Sequence, residues 1–253
     1  GLPLTALVQG NLADGTGTTV SDQQVVGTTL AEPSLSATTG IVSVVDDNNT
    51  PKTVDYTNGS IAPDTYFKAA GSDGNAFLDN SVDNASILNA NDLNVGTGGT
   101  VQVDGGDTVR VATTVQNTGQ YAAYDVTLAG GLPSGVNSTD SISHFQVYTR
   151  DASGKLVGVY TDDASAAQAA ANYFSTSGLS INSATATDPV LYGTNDTTHP
   201  NQNVLFVVYD VKLPQTTAVA QTLTDTGSIL SFSNTSSGGN FVTQTKDASG
   251  NIT

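Results

Sequence analysis

Asp225-Thr226-Gly227-Ser228 is the stretch of this chain that looks most like chemistry. An Asp-Thr-Gly triplet can present one of the two carboxylates that acid proteolysis needs at close range, sharing a proton. The chain carries no second Asp-Thr-Gly, so only a homodimer could supply the partner. The expected role is therefore a turn between two strands. The two histidines, His144 and His199, form no recognised zinc spacing, and there is neither an H-E-x-x-H nor a G-x-S-x-G. His144 is expected to begin a strand, and His199 to lie in a polar loop before Pro200. Lys68 and Lys212 are candidates for Lys–Asn or Lys–Asp isopeptide bonds. Lys212 lies on an apolar run, where burial would lower its pKa and aid attack. A lysine there could instead snorkel to water.

The stronger ligand expectation is Ca²⁺, which prefers carboxylate and carbonyl oxygens. The candidate ligands are Asp46, Asp47 (with Asn48), Asp73 (with Asn75), Asp104 and Asp107 in Asp/Asn-rich stretches, with Glu32 before Pro33, and none forms an EF-hand loop. Tyr121, Tyr124, Tyr148, Tyr160 and Tyr192 are candidate stacking surfaces for a glycan. Sequons at Asn48, Asn58, Asn84, Asn137, Asn195, Asn234 and Asn251 permit glycosylation without showing it.

Composition narrows the class. Lys and Arg total 7 against 23 Asp and Glu, a formal charge of -16, and Glu32 is the sole glutamate. So few cations cannot neutralise a phosphate backbone, which argues against nucleic acid and against anionic membrane surfaces. With no Cys there are no disulfides, thiolate metal sites or Cys nucleophiles. No stretch is apolar and long enough to span a bilayer by a helix. A chain opening Gly1-Leu2-Pro3 without Met is expected to be processed or part of something larger.

The elements that must position these groups are strands. Thr, Ser, Asn, Asp and Gly dominate and long helix formers are scarce, which points to an all-β protein with many turns. Residues 1–33 hold two apolar patches, Leu4–Gln9 and Gln24–Gly27, and read as an arm or hairpin. Glu32-Pro33 punctuates the chain. Strands are predicted at Ser34–Val45, Lys52–Tyr56, Thr100–Val103, Thr108–Gln116, Ala122–Leu128, His144–Thr149, Lys155–Tyr160, Val204–Leu213, Gln221–Asn234 and Asn240–Gln244. Turns are predicted at Asp46–Pro51, Asp104–Asp107 and Asp151–Gly154, and Asp73–Asn94 reads as a long loop. One short helix is expected at about 162–174, with Thr161 as N-cap and Gly178 just past its end. Thr108–Val115 alternates as a half-buried strand does, and Asn117 and Gly119 tolerate the positive φ that would turn the chain back.

Gly106–Val136 reads GDTVRVATTVQNTGQYAAYDVTLAGGLPSGV. It resembles a conserved bacterial cell-surface repeat with the pattern G-D-x-V, then V-x-N-x-G, then D-V-x-L, then L-P-x-G. The matching residues are Gly106, Asp107, Val109, Val115, Asn117, Gly119, Asp125, Val126, Leu132, Pro133 and Gly135. Glu32-Pro33-Ser34-Leu35 matches the E-P-x-L that opens such repeats. Leu230-Ser231-Phe232-Ser233-Asn234 departs from the closing L-x-N-x-A. The resemblance implies an immunoglobulin-like antiparallel β-sandwich spanning 34–253, with long insertions near 46–99 and 137–203.

It also implies a non-enzymatic, extracellular structural role in a surface layer, fibre or adhesin stalk. The expected partners are copies of the chain or neighbouring repeats, joined by strand exchange through 1–33 and stabilised by Ca²⁺. The alternative class is a carbohydrate-binding or other adhesive module.

Overall fold

The computed structural model describes residues 2–11, 19–28, 32–53, 70–71, 103–133, 135–137, 141–181, 188–216 and 225–242. The chain divides into two units, Gly1–Glu32 and Pro33–Thr253. The first is the hairpin that its two apolar patches predict. β1 (Leu2–Asn11) pairs antiparallel with β2 (Thr19–Thr28), Leu2 opposite Thr28 and Asn11 opposite Thr19.

The second unit is an all-β sandwich. Its larger sheet is built from β3 (Leu35–Val45), β4 (Pro51–Lys52), β5 (Thr108–Asn117), β7 (Ile142–Arg150), β8 (Leu156–Tyr160) and β10 (Val204–Lys212), in the order β4-β3-β5-β10-β7-β8. The smaller sheet runs β11-β6-β9, from β11 (Thr226–Ser233), β6 (Tyr124–Gly131) and β9 (Leu179–Ser180). The strand pairs of both sheets are antiparallel. Among the described residues the one α-helix is α1 (Asp163–Tyr173).

The period of two in β5 and β10 sends Val109, Val111 and Val115, and Leu205, Val207, Tyr209 and Val211, into the space between the sheets. There they meet Val126 and Leu128 of β6, Phe145 and Val147 of β7, and Ala169 and Tyr173 of α1. Burying each larger apolar side chain contributes roughly 1.5–3 kcal/mol. The sheets come close together at Gly227, where a side chain would run into Thr39 and Thr113. The stretch 137–203, expected as a long insertion, supplies β7, β8, α1 and β9, and so forms part of the core itself.

β5 departs from the half-buried strand its alternation predicts: Arg110, Ala112 and Thr114 are as buried as the valines between them. The opposite face of the larger sheet is covered, and it carries Val208 and Asp210 of β10 and Tyr148 and Arg150 of β7, all buried. Ala70 and Gly71 reach this face, their amides donating to Ser43 Oγ at 2.9 Å and to Asp210 Oδ2 at 2.8 Å. Polar residues at alternate positions therefore mark a second buried face, stabilised by pairing.

Local details also differ from expectation. The N-cap of α1 is Asp162 instead of Thr161; its Oδ1 accepts from the Ser165 amide at 3.0 Å. Asn117 and Gly119 do not adopt positive φ. Val103 lies outside any strand, as do Asn240–Val242, while Thr100 and the 73–94 loop fall outside the described residues. Lys52–Tyr56 is described only to Thr53, with β4 ending at Lys52. The three predicted turns form: Asn49 N donates to Asp46 O, Asp107 N to Asp104 O and Gly154 N to Asp151 O; a further turn closes where Val136 N donates to Pro133 O. Gly135 and Gly154 sit at φ +87° and +90°, where only glycine is unstrained.

Candidate functional site

Three clusters gather the groups that could do chemistry. The first lies on the buried outer face of the larger sheet. Arg110 and Asp210 are cross-strand partners in the β5–β10 register, and both side chains are 0% exposed. Arg110 forks onto the carboxylate, Nε to Oδ1 at 2.7 Å and an Nη to Oδ2 at 2.9 Å. His144 Nδ1 lies 2.8 Å from Oδ2. Burial alone would raise the Asp210 carboxyl, but the hydrogen bonds from His144 and Arg110 and the guanidinium charge outweigh it and hold the pKa below the usual range. His144 reaches this position from a β-bulge: the β7–β10 register slips between Val208 and Asp210, and His144 takes φ +50°. An Asp–His pair is the base half of a nucleophilic triad. Here the carboxylate is already neutralised by arginine, which makes the arrangement a buried ionic clamp.

The second cluster surrounds Asp225. It immediately precedes β11, and Thr226-Gly227-Ser228 are strand residues, so the triplet is not the turn that was expected. Tyr209 Oη donates to Asp225 Oδ1 at 2.7 Å, and Oδ2 is buried with no hydrogen-bond partner among the described residues. Burial pushes the carboxyl up to about 6, with the Tyr209 hydrogen bond opposing it, and no second carboxylate contributes. The proton-sharing dyad of acid proteolysis is thus not assembled around Asp225 among the described residues. Its surroundings are aromatic: Tyr209 packs on Phe174 at 5.1 Å and Phe174 on Tyr173 at 5.0 Å. The Tyr209 hydroxyl is driven well above its ordinary pKa by burial and then by the Asp225 charge.

The third cluster is at the loops that follow β5 and precede β10. Asn117 is fully buried and makes four hydrogen bonds with its side chain. Nδ2 donates to Tyr121 O at 2.7 Å and Tyr192 O at 3.1 Å; Oδ1 accepts from Ser34 N at 3.1 Å and Gly119 N at 3.0 Å. The asparagine thus turns the chain through its amide and not through its own backbone angle. Beside it the Tyr192 and His199 rings stack at 3.9 Å and 15°. Asp196 Oδ1 accepts from the Thr198 and His199 amides, and Oδ2 lies 3.1 Å from His199 Nδ1.

Among the described residues the candidate calcium ligands do not converge on one point. Asp46 Oδ1 accepts from the amides of Asn48 at 2.9 Å and Thr50 at 2.8 Å, and the Thr50 bond leads the causes that lower its pKa. Asp47 accepts from Asn48 Nδ2 in the same exposed turn. Asp104 and Asp107 do come together, but around Lys52, whose Nζ sits 2.9 Å and 2.5 Å from their Oδ2 atoms. The hydrogen bond to Asp107 leads the causes that raise the Lys52 pKa. That pair already holds a fixed cation and does not fit a divalent ion at the same place. Glu32 is exposed, and Asp73 lies outside the described residues. Among the described residues no three His, Cys, Asp or Glu side chains are grouped to hold a metal ion.

Lys212 ends β10 exposed to water, which removes the burial that would have activated it, and Lys68 lies outside the described residues. Of the stacking candidates, Tyr148 is buried, its hydroxyl on Gln146 Oε1, and the Tyr160 hydroxyl donates to Ser180 O. Sequence reasoning missed the Arg110–Asp210 clamp. Its signal was an Asp inside the apolar run VLFVVYDVKL and an Arg inside TVRVAT.

The polar residues of the repeat-like motif all have architectural work. Asp107 accepts from Lys52 and from the Asp104 amide, Asn117 joins the loops, and Asp125 accepts from Ser233 Oγ at 2.9 Å and Ser237 N at 2.7 Å. No family model matches the chain, and no curated protein matches it.

Proposed function

We propose that this chain is a non-enzymatic structural module of a bacterial cell exterior, a unit of a surface layer, fibre or adhesin stalk. It self-associates by strand exchange: the N-terminal hairpin of one copy completes an open sheet edge of the next. The observation that carries this reading is a pair of complementary features. Gly1–Glu32 is a separate compact unit made of two ten-residue strands. In the sandwich, β3 pairs with β5 along its whole length, but on its other side only Val44 and Val45 meet β4. Leu35–Ile41 therefore presents backbone donors and acceptors with no second strand among the described residues. An open edge is a template for another chain, and strand addition satisfies it.

Charge and composition support the reading. A formal charge of -16 keeps copies apart unless a specific contact overcomes the repulsion. Asp107, Asp210, Asp225 and Asp196 each contact a group of the same fold through at least one carboxylate oxygen. The resemblance of Gly106–Val136 to surface repeats points the same way. Ca²⁺ has no assembled ligand set among the described residues, and strand exchange does not require it.

The test is deletion of residues 1–32, with light scattering and electron microscopy of the full and shortened chains. Loss of ordered assemblies with the sandwich still folded is expected. Assemblies of unchanged size and form would refute strand exchange.

A further inference from the structure

Tyr121 is 57% exposed, the more exposed of the two large apolar side chains that stand out from the described surface. Leaving an aromatic ring in water forgoes the stabilisation its burial would bring. Floppiness does not explain it, because the backbone beneath is held from several sides. Asn117 Nδ2 binds its carbonyl, and the neighbouring Gly119 carbonyl accepts from both the amide and the hydroxyl of Thr194, at 2.8 Å and 3.1 Å. Gly193 lies so close to the Gln120–Tyr121 peptide that any side chain there would strike it. The ring is presented by a rigid base.

The same asparagine carries Tyr192, so the two tyrosines are anchored to one amide. Tyr192 forms a parallel block with His199. His199 Nδ1 lies 3.1 Å from Asp196 Oδ2, and the tautomer that donates from Nδ1 keeps Nε2 as an acceptor. Burial, and then the nearby Asp188, Asp196 and Tyr124, raise the pKa of the Tyr192 hydroxyl, which stays a protonated donor at neutral pH. One end of the sandwich thus combines a fixed exposed ring, a stacked tyrosine–histidine block whose tyrosine carries the phenol, and the Asp196 carboxylate.

We propose that this loop cluster is a binding subsite for a neutral saccharide. A pyranose has a face of C–H groups and a rim of hydroxyls. The first packs on an aromatic ring, and the second donates to carboxylates and imidazole nitrogen and accepts from phenols. Asp196, on a chain of charge -16, repels sialylated and sulfated sugars, so selectivity falls on neutral hexoses and N-acetylhexosamines. The subsite would give a surface module an adhesive face distinct from the strand edge used in assembly.

The experiment uses the full chain on a glycan array with neutral, sialylated and sulfated arms. The best neutral oligosaccharide is then titrated by calorimetry against the wild type, Tyr121→Ala, Asp196→Asn and Val157→Ala. Val157 is the other exposed apolar side chain. Neutral glycans are expected to bind, with affinity falling at least tenfold in Tyr121→Ala and unchanged in Val157→Ala. The thermal midpoint of Tyr121→Ala should match the wild type, since its ring is not part of the core. No neutral glycan above background, binding confined to the acidic arms, or undiminished affinity in Tyr121→Ala would each overturn the proposal. Assembly is scored separately, so failure here leaves the strand-exchange reading untouched.

Discussion

Asp225→Asn should change how stability depends on pH. In the folded protein the Asp225 carboxyl is raised to about 6 from a reference of 3.8, because burial disfavours its charge. The folded state therefore holds a proton that the unfolded state releases. The stability this confers is full below about pH 4 and is lost as pH rises toward 6. A shift of roughly two units corresponds to about 3 kcal/mol across that window. Asparagine cannot ionise, yet it can still accept from Tyr209. Its Nδ2 enters a place where Oδ2 has no partner among the described residues, at a cost of about 1–3 kcal/mol that does not vary with pH. The quantity to read is therefore the difference between the two proteins as a function of pH.

Asp46, Asp151, Asp162, Asp196 and Asp210 have lowered pKa values, so their contributions are lost as pH falls. They are common to both proteins and cancel in that difference. Urea unfolding at several pH values from 4.0 to 7.5 should show wild type losing about 2–3 kcal/mol relative to Asp225→Asn. A constant difference would mean that Asp225 titrates normally and that its buried placement is wrong.

Arg110→Met should destabilise the sandwich by about 3–5 kcal/mol, because Asp210 is left buried without its guanidinium. Arg110→Met with Asp210→Leu should recover most of that loss, as read from urea midpoints; no recovery would count against the clamp. Asn117→Ala removes four hydrogen bonds and should cost about 1–3 kcal/mol. The same substitution should speed amide exchange in 118–123 and 190–194, and unchanged exchange there would show that the loops are held otherwise.

Much of the fold was legible because strands and turns are local. The period of two, Asp-rich turns and glycines located the hairpins, and a polar cap followed by a helical run with Gly178 past its end located α1, though the cap proved to be Asp162 and not Thr161. The neighbours of each strand were not legible. β10 inserts between β5 and β7, and that order depends on packing among distant segments. The second buried face was missed for a related reason: Arg110, Thr114 and Gln146 look like solvent-facing residues until their partners across strands are known. Asn117 was read by what its backbone tolerates, whereas its role comes from a side-chain amide with four partners, two of them, Ser34 and Tyr192, far away in sequence. The candidate glycan surface was half legible. Tyrosine identity was visible, but only the fold separates buried Tyr148 from Tyr121 and Tyr192, which share an anchor.

Strand exchange is tested most directly by hydrogen exchange on the full chain, dilute and at assembly concentration. Amides in Leu2–Asn11, Thr19–Thr28 and Leu35–Ile41 should gain protection together on assembly, while the Arg110–Asp210 region stays unchanged. Assembly without added protection in Leu35–Ile41, or protection that spares the hairpin, would contradict it.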